Sequence, residues 1–217
     1  MFLGHVAVGL AGKRFAPRAS LATLLFAPMF LDLLWPIFLL LGWEQVRVDP
    51  GNTAFTPLDF ENYPWSHSLH MTLFWSGLAG VVFRAVTRDT RGAVWIGSAV
   101  ASHWVMDWIT HRPDLPLWPG GPRVGLGLWN SVPATFIVEI VLFVAGLWLY
   151  MRDTRPRGRR GRLSLWSFVA AVCLIYCVNL VPPPAGTGSR TVAMMALALW
   201  LIIPWAWWID STRRSVR

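Results

Sequence analysis

The chain has 217 residues, of which 55% are hydrophobic and only 14% are charged, and its mean hydropathy is +0.48. Soluble domains carry about 25% charged residues, so this composition excludes an ordinary soluble protein and predicts an all-α integral membrane protein. The formal charge of +8 would suit a nucleic-acid partner, but the distribution of the cationic residues indicates membrane topology instead.

Six apolar runs are each long enough to cross a bilayer, which takes about 20 residues. They cover residues 20–41, 65–86, 91–111, 131–151, 163–182 and 190–210. Residues 1–12 are too few to span, and we expect a short half-inserted helix there. These elements predict a single integral membrane domain, with a motif-bearing core at 1–151 and a C-terminal helix pair at 163–210. Within that pair, Cys173 and Cys177 lie one turn apart, and we expect them to pack as small residues.

Lys and Arg residues alternate between the two ends of the predicted spans. The amino-terminal region, the 84–91 turn, the 152–162 tract and the tail at 213–217 hold 15 of the 19. The other four lie at the opposite ends: Arg47, Arg112, Arg123 and Arg190. The positive-inside rule then predicts a multi-pass protein of the inner membrane with both termini in the cytoplasm. The basic tracts would contact anionic membrane lipids and need no nucleic acid.

The third predicted span ends in a stretch, residues 102–111, that carries two of the five histidines. His103 and Asp107 are four residues apart and project from one helix face, with His111 following on roughly the same side. An imidazole and a carboxylate inside an apolar segment are costly to bury unless they bind something. A metal ion is the simplest candidate, and a His–Asp hydrogen bond that joins two helices is the alternative.

Acidic side chains from three predicted spans reach one layer of the membrane. With a rise of about 1.5 Å per residue, Asp32, His103 and Glu139 lie roughly 12–14 Å below the outer ends of their spans, and Asp107 about 6 Å. Ionisable groups inside a membrane are functional candidates by default. The shared depth therefore predicts a metal or catalytic site in the outer half, although a buried network joining helices remains the alternative.

The remaining histidines divide between this layer and the surface. His67 and His70 begin the second predicted span, three residues apart, and we expect them to share a helix face. A half-inserted helix would raise His5 about 12 Å from the inner side. We expect His111 and Asp114 to lie at the surface in a solvated loop.

The motifs that contain these residues resemble those of a bacterial family of membrane-bound metal-dependent hydrolases, the YdjM-like group. They are Gly4-His5, Asp32, Ser66-His67-Ser68, and His103, Asp107 and Thr110 in a His-x-x-x-Asp-x-x-Thr pattern, followed by a proline-rich stretch at 115–119. The resemblance covers residues 1–120. That family is distantly similar to zinc-dependent phospholipases C, which implies metal-bound phosphoester chemistry.

Two positions depart from the family pattern. The family often has Asp-x-Asp where this chain has Asp32 followed by Leu33 and Leu34. One carboxylate is missing, which counts against a site with two ions. Pro113 stands where the family often has glycine, and this replacement changes the loop after the His–Asp motif.

These observations predict a hydrolase of an ester or phosphoester, with a lipid or lipid-linked substrate and a site that opens to the outer face. His and carboxylate ligands suit zinc, and also manganese or iron, as one or two ions. The predicted metal ligands are His5, Asp32, His67, His103 and Asp107. Glu139 or His70 would handle protons, and Arg112 and Arg123 would receive an anionic headgroup.

Two other classes of function use the same cluster. A proton or metal-ion transporter is the first alternative, but the inner halves of the predicted spans contain no further buried charge to continue a path. A noncatalytic assembly factor that uses the cluster as a structural clamp is the second.

Overall fold

The computed structural model describes residues 1–181, 183–184 and 186–216, and its regular structure is mostly helical. The helices are α1 (Phe2–Phe15), α2 (Leu21–Leu40), α3 (Pro64–His67), α4 (Leu69–Thr87), α5 (Thr90–Thr110), α6 (Val132–Asp153), α7 (Gly158–Val178), α8 (Ser189–Ala196) and α9 (Ile202–Thr212). A 3₁₀ segment, Leu197–Leu201, joins α8 to α9. Pro182, at the end of the fifth predicted span, and Arg217, in the basic tail, lie outside the described residues.

Three short antiparallel strand pairs lie at the ends of the helices. The first pairs β1 (Gln45–Val48) with β2 (Leu58–Asn62), and the second pairs β3 (Leu115–Pro116) with β4 (Arg123–Val124). The third joins distant parts of the chain, because β5 (Thr154–Pro156) follows α6 and β6 (Arg213–Ser215) follows α9. None of them forms a larger sheet within the described residues.

Five helical segments among the described residues are long and apolar enough to cross a membrane. They are Leu21–Leu40, Leu69–Thr87, Val132–Asp153, Gly158–Val178 and Ser189–Thr212. The prediction of an all-α polytopic membrane protein is therefore confirmed. The predicted third span is different: α5 has 21 residues, but its polar side chains, including His103 and Asp107, leave it less apolar than the other five.

The short amino-terminal helix predicted from the sequence is present, and it lies at the centre of the core. Its residues Leu3, Val6 and Leu10 are at most 2% exposed. A Cβ atom added at Gly146 of α6 would lie 2.5 Å from the Ala7 carbonyl oxygen. Glycine is therefore required where α1 and α6 approach most closely, and protein surrounds α1 on several sides.

Side-chain caps fix where several helices begin. Ser20 Oγ accepts from the Thr23 amide at 3.0 Å, and Asp89 Oδ1 accepts from the Gly92 amide at 2.9 Å. Each cap satisfies an amide that the first helical turn leaves without a partner. Arg88, with φ of 58°, adopts a left-handed backbone conformation that turns the chain from α4 into α5. The two helices then pack side by side as a hairpin.

The C-terminal helices pack behind α2. The Asp210 carboxylate on α9 accepts from the Leu21 amide at the start of α2, and Lys13 Nζ lies 3.8 Å from the same carboxylate. Further along α2, Trp200 Nε1 donates to the Leu33 carbonyl oxygen at 3.1 Å. The helix pair is thus attached to α2 at two separate depths.

The outward faces of α4, α6 and α7 carry exposed apolar side chains, such as those of Leu73, Val141 and Leu174. Such faces suit contact with lipid tails. Cys173 and Cys177 lie on this face of α7 and are exposed. The prediction that they pack as small core residues is therefore wrong, because the buried stripe of α7 runs through Phe168, Val172 and Tyr176 instead.

Candidate metal centre

His103 and Asp107 of α5 form the centre of a buried polar cluster. They are 0% and 2% exposed, and His103 Nε2 lies 2.9 Å from Asp107 Oδ2. His103 Nδ1 lies 2.7 Å from the Pro28 carbonyl oxygen on α2. A carbonyl oxygen only accepts, so Nδ1 carries the proton and Nε2 of the neutral ring presents a lone pair. That lone pair faces a carboxylate oxygen, and a cation between the two atoms would satisfy both.

A second histidine is oriented by a hydrogen-bond relay outside the helices. Ser66 Oγ lies 2.7 Å from Glu44 Oε2 and 2.6 Å from His67 Nδ1. The Ser66 hydroxyl donates to the carboxylate and accepts from His67 Nδ1–H, so Nε2 of His67 again presents a lone pair. Burial raises the pKa of Glu44, whose carboxylate also accepts from the Ser66 amide at 2.7 Å.

Asp32 of α2 completes this side of the cluster. Its Oδ1 lies 3.4 Å from His67 Nε2 and 3.7 Å from His103 Nε2, while His67 Nε2 lies 3.9 Å from Asp107 Oδ2. A tetrahedral ion with bonds of about 2.0–2.1 Å spaces its ligand atoms about 3.3 Å apart. The distances in the cluster, from 2.9 to 3.9 Å, bracket that spacing.

His5 enters the cluster from α1. Its ring stacks on that of His103, with centroids 3.7 Å apart, and its Nε2 lies 3.1 Å from Asp107 Oδ1. The α-amino group of Met1 lies 2.6 Å from the same oxygen. Asp107 thus uses Oδ1 toward α1 and Oδ2 toward His103 and His67.

All five predicted ligands therefore converge, and they do so in two overlapping groups. One group is His5, His103 and Asp107, and the other is Asp32, His67 and His103. Within each group the ligand atoms lie within 4.8 Å of one another. These buried His and Asp side chains could hold a metal ion, and their donor types suit a divalent transition metal.

Glu139 lies next to this cluster, but its carboxylate binds a backbone amide at the start of α1. Its Oε2 accepts from the Leu3 amide at 2.7 Å, where a helix leaves amides without partners. Its Oε1 is buried and has no hydrogen-bond partner among the described residues. Glu139 thus supports the helix that carries His5, and its role in proton transfer stays a prediction.

His70 does not join the cluster. Its side chain is exposed and belongs to neither ligand group. Ser68, at φ −68° and ψ 149°, has an extended backbone that ends α3 and caps α4. His67 and His70 therefore lie on different helices, and the prediction that they share a helix face is wrong.

His111 and Asp114 are buried, at 3% and 5% exposure, so the prediction of a solvated surface loop is also wrong. His111 Nδ1 lies 2.9 Å from Asp114 Oδ1, and Tyr63 Oη donates to the same oxygen at 3.1 Å. The Trp129 ring covers His111, with centroids 4.3 Å apart. Burial, followed by the negative charge of Asp114, raises the pKa of Tyr63 well above its usual range.

The two arginines predicted to bind substrate already have partners in the loops. Arg112 NH2 donates to Asp59 Oδ1, and its Nε donates to Asp114 Oδ2 at 3.2 Å. Arg123 NH2 donates to the Glu61 carbonyl oxygen at 2.6 Å and is otherwise exposed. A role of either residue in binding substrate stays a prediction.

Glu44 and Ser66 are the residues that the sequence did not single out for the site. A serine directly before a helix is typical of a capping residue, and this interpretation applies from the sequence to both Ser66 and Ser68. Ser68 caps α4, accepting from the Met71 amide at 3.2 Å, whereas Ser66 links Glu44 to His67. Glu44 comes from a loop without periodicity, so nothing in the sequence pattern predicts that it reaches His67.

The fold and the cluster define an all-α membrane protein with a buried His/Asp site. No protein-family model matches the chain, and neither a curated protein nor a solved structure matches it. The resemblance to the YdjM-like group therefore stays a prediction, and the function is inferred from the geometry of the site.

Proposed function

We propose that the chain is a membrane-embedded, metal-dependent hydrolase of an ester or phosphoester, related to the YdjM-like group. One observation supports it most. The Nδ1 atoms of His67 and His103 are held by Ser66 and by the Pro28 carbonyl, so in the neutral rings the Nε2 lone pairs are directed at the carboxylates of Asp32 and Asp107. Zinc is the proposed metal because it takes His and carboxylate ligands at this spacing, and manganese or iron would accept the same donors.

The chemistry follows from the ligands. A bound divalent ion lowers the pKa of its water and polarises an ester oxygen. The Asp32 side chain is 26% exposed, whereas those of His67 and His103 are 6% and 0% exposed. Water and substrate would therefore approach from the side of Asp32. Glu139, with its buried and unpartnered Oε1, is a better candidate to carry a proton than the exposed His70.

The proposed location is the inner membrane, with both termini in the cytoplasm and the site in the outer half. The α4–α5 hairpin supports this topology. If α4 crosses the membrane, α5 must return beside it despite its lower apolarity, because only Arg88 and Asp89 separate them. A site enclosed by such helices is within reach of a lipid or lipid-linked ester, and the outer loops carry Arg112 and Arg123.

The metal content of the purified full-length chain tests the site directly. We expect wild type and His70→Ala to retain bound metal, and His103→Ala and Asp32→Ala to lose most of it. His70→Ala is the matched control, because this substitution removes an exposed imidazole that lies outside both ligand groups. Full occupancy in both ligand variants would contradict the assignment.

A second measurement separates the two main functions. The metal-loaded protein is assayed against carboxylic ester, phosphomonoester and phospholipid substrates, and in parallel for proton or zinc flux in liposomes. Hydrolysis that His103→Ala abolishes supports the proposal. Flux that depends on the cluster, without hydrolysis, would assign the chain to the transporters instead.

A further inference from the structure

A basic cavity of about 450 Å³ lies between the helix ends on the side away from the candidate metal centre. It is bounded by the turn between α1 and α2, the ends of α6 and α9, and the paired strands β5 and β6. Along α1, Lys13 in the cavity wall is eight residues from His5, which is about 12 Å of helical rise. The cavity is therefore separate from the cluster, and its function does not depend on the proposed hydrolase activity.

Positive charge dominates the cavity wall. Its cationic residues are Lys13, Arg18, Arg157, Arg213 and Arg214, and the one carboxylate among the lining residues is Asp210. Asp210 is already engaged, because it accepts from the Leu21 amide and lies 3.8 Å from Lys13 Nζ. An excess of positive charge remains around the space.

Among the described residues, Arg213 has no acidic partner, and neutral groups hold its side chain in place. It is 6% exposed, and its guanidinium donates to Thr154 Oγ1 at 3.0 Å and to the Gly161 carbonyl oxygen at 3.2 Å. Both acceptors are neutral, so they orient the guanidinium without cancelling its charge. Burial lowers the pKa of Arg213, which reflects a charge held in a partly desolvated position.

Several donors in the wall are unused. The side chains of Arg18, Arg157 and Arg214 are exposed and make no hydrogen bond or ion pair within the described part of the chain. Tyr150 is 1% exposed, and its hydroxyl faces Thr154 and Arg213 in the cavity wall. The Arg213 guanidinium lies over the Tyr150 ring, 5.4 Å from its centroid. A bound anion would accept hydrogen bonds from this hydroxyl and from the unused guanidinium groups.

We propose that this cavity binds a phosphate group, supplied by the headgroup of an anionic membrane phospholipid. Guanidinium groups match phosphate oxygens in charge and geometry. The cavity lies at the ends of α6 and α9, which belong to segments long and apolar enough to cross a membrane, so headgroups would lie at its level. Basic pockets between such helices are suited to anionic headgroups. Free phosphate shares this chemistry and is the other source.

The thermal unfolding of the full chain in an uncharged detergent tests the proposal. It is titrated with phosphatidylglycerol, with phosphatidylcholine and with inorganic phosphate. We expect phosphatidylglycerol to raise the Tm saturably and phosphatidylcholine to leave it unchanged. In the triple variant Arg18→Gln, Arg157→Gln, Arg214→Gln, the apparent affinity should fall by at least about tenfold, since three phosphate-facing charges are lost.

A second triple variant gives the matched control. Arg159→Gln, Arg160→Gln, Arg162→Gln removes the same charge from exposed residues of α7 that do not line the cavity, and it should bind like wild type. Tyr150→Phe should weaken binding severalfold, by removing only a hydroxyl. If inorganic phosphate competes with the lipid at a similar concentration, the site is a phosphate site filled from solution. Equal weakening in both triple variants, or no Tm response in wild type, would overturn the proposal.

Discussion

His103 Nε2 and Asp107 Oδ2 lie 2.9 Å apart on successive turns of α5, and in the neutral imidazole the bond from His103 Nδ1 to the Pro28 carbonyl leaves Nε2 with a lone pair. Asp32 Oδ1 lies 3.7 Å from the same nitrogen. Two carboxylates and two imidazole lone pairs therefore surround one buried space. A cation in that space would stabilise the arrangement, and its removal would leave like charges close together.

Asp32→Asn should separate metal binding from folding. The amide keeps the shape of the carboxylate but removes one negative charge, so bound metal should fall. In excess chelator the variant should unfold at the same temperature as wild type or higher, because less repulsion remains among the acids. Metal content and Tm with and without chelator measure both effects. Asp49→Asn, in the loop between β1 and β2, is the control, and a lower Tm of Asp32→Asn in chelator would contradict this prediction.

Ser66→Ala should weaken metal binding while leaving the fold intact. The substitution removes the bridge between Glu44 and His67, and loss of such an orienting partner lowers metal affinity by about 10- to 100-fold. Ser68→Ala should instead lower stability and leave metal affinity unchanged. It removes the cap of α4, which costs about 1 kcal/mol, and leaves His67 oriented. Metal titrations and thermal unfolding distinguish the two. Equal metal affinities in the two serine variants would rule out the relay.

Glu139 variants test whether this residue supports α1. Glu139→Ala leaves the Leu3 amide without its acceptor and should destabilise the protein by about 1–2 kcal/mol. Glu139→Gln keeps an acceptor oxygen and should lose less. Thermal unfolding compares the two variants, with metal content measured in parallel. A Glu139→Ala protein as stable as wild type would show that the hydrogen bond to Leu3 contributes nothing.

Tyr63→Phe tests the buried polar cluster formed by Tyr63, His111 and Asp114. The raised pKa of Tyr63 means that folding favours the protonated hydroxyl. Its contribution is complete below the unfolded pKa of about 10 and is lost as pH rises through the higher folded pKa. Wild type should therefore lose more stability than Tyr63→Phe between about pH 9 and pH 11. Parallel losses of Tm in the two proteins would exclude Tyr63 as the cause.

The parts of the site that the sequence predicts lie on long helices. Hydropathy locates α2 and α5, and the helical repeat then fixes the face and depth of Asp32, His103 and Asp107. These two facts predict that the three side chains share a layer, but not that α2 and α5 are neighbours, which the structure shows. His5 is also predicted, because the length of α1 from His5 to the basic residue Lys13 sets its depth.

The parts that sequence reasoning misses depend on loops and on single backbone angles. One extended residue, Ser68, separates α3, which ends at His67, from α4, which carries His70. An apolar pattern does not predict such a change of chain direction. Glu44 reaches Ser66 from a loop, where no periodicity exists to follow. His111 is buried by the ring of Trp129, which arrives from a separate segment of the chain.

The segment Ser189–Thr212 contributes no residue to the candidate site, yet it fixes the rotation of α2, the helix that carries Asp32. The Asp210 carboxylate accepts from the Leu21 amide in the first turn of α2. Trp200 donates to the carbonyl oxygen of Leu33, the residue directly after Asp32. With both points held from behind, α2 cannot roll about its axis without breaking one of them. The orientation of the Asp32 side chain thus depends on residues near the far end of the sequence, which lie outside the candidate site.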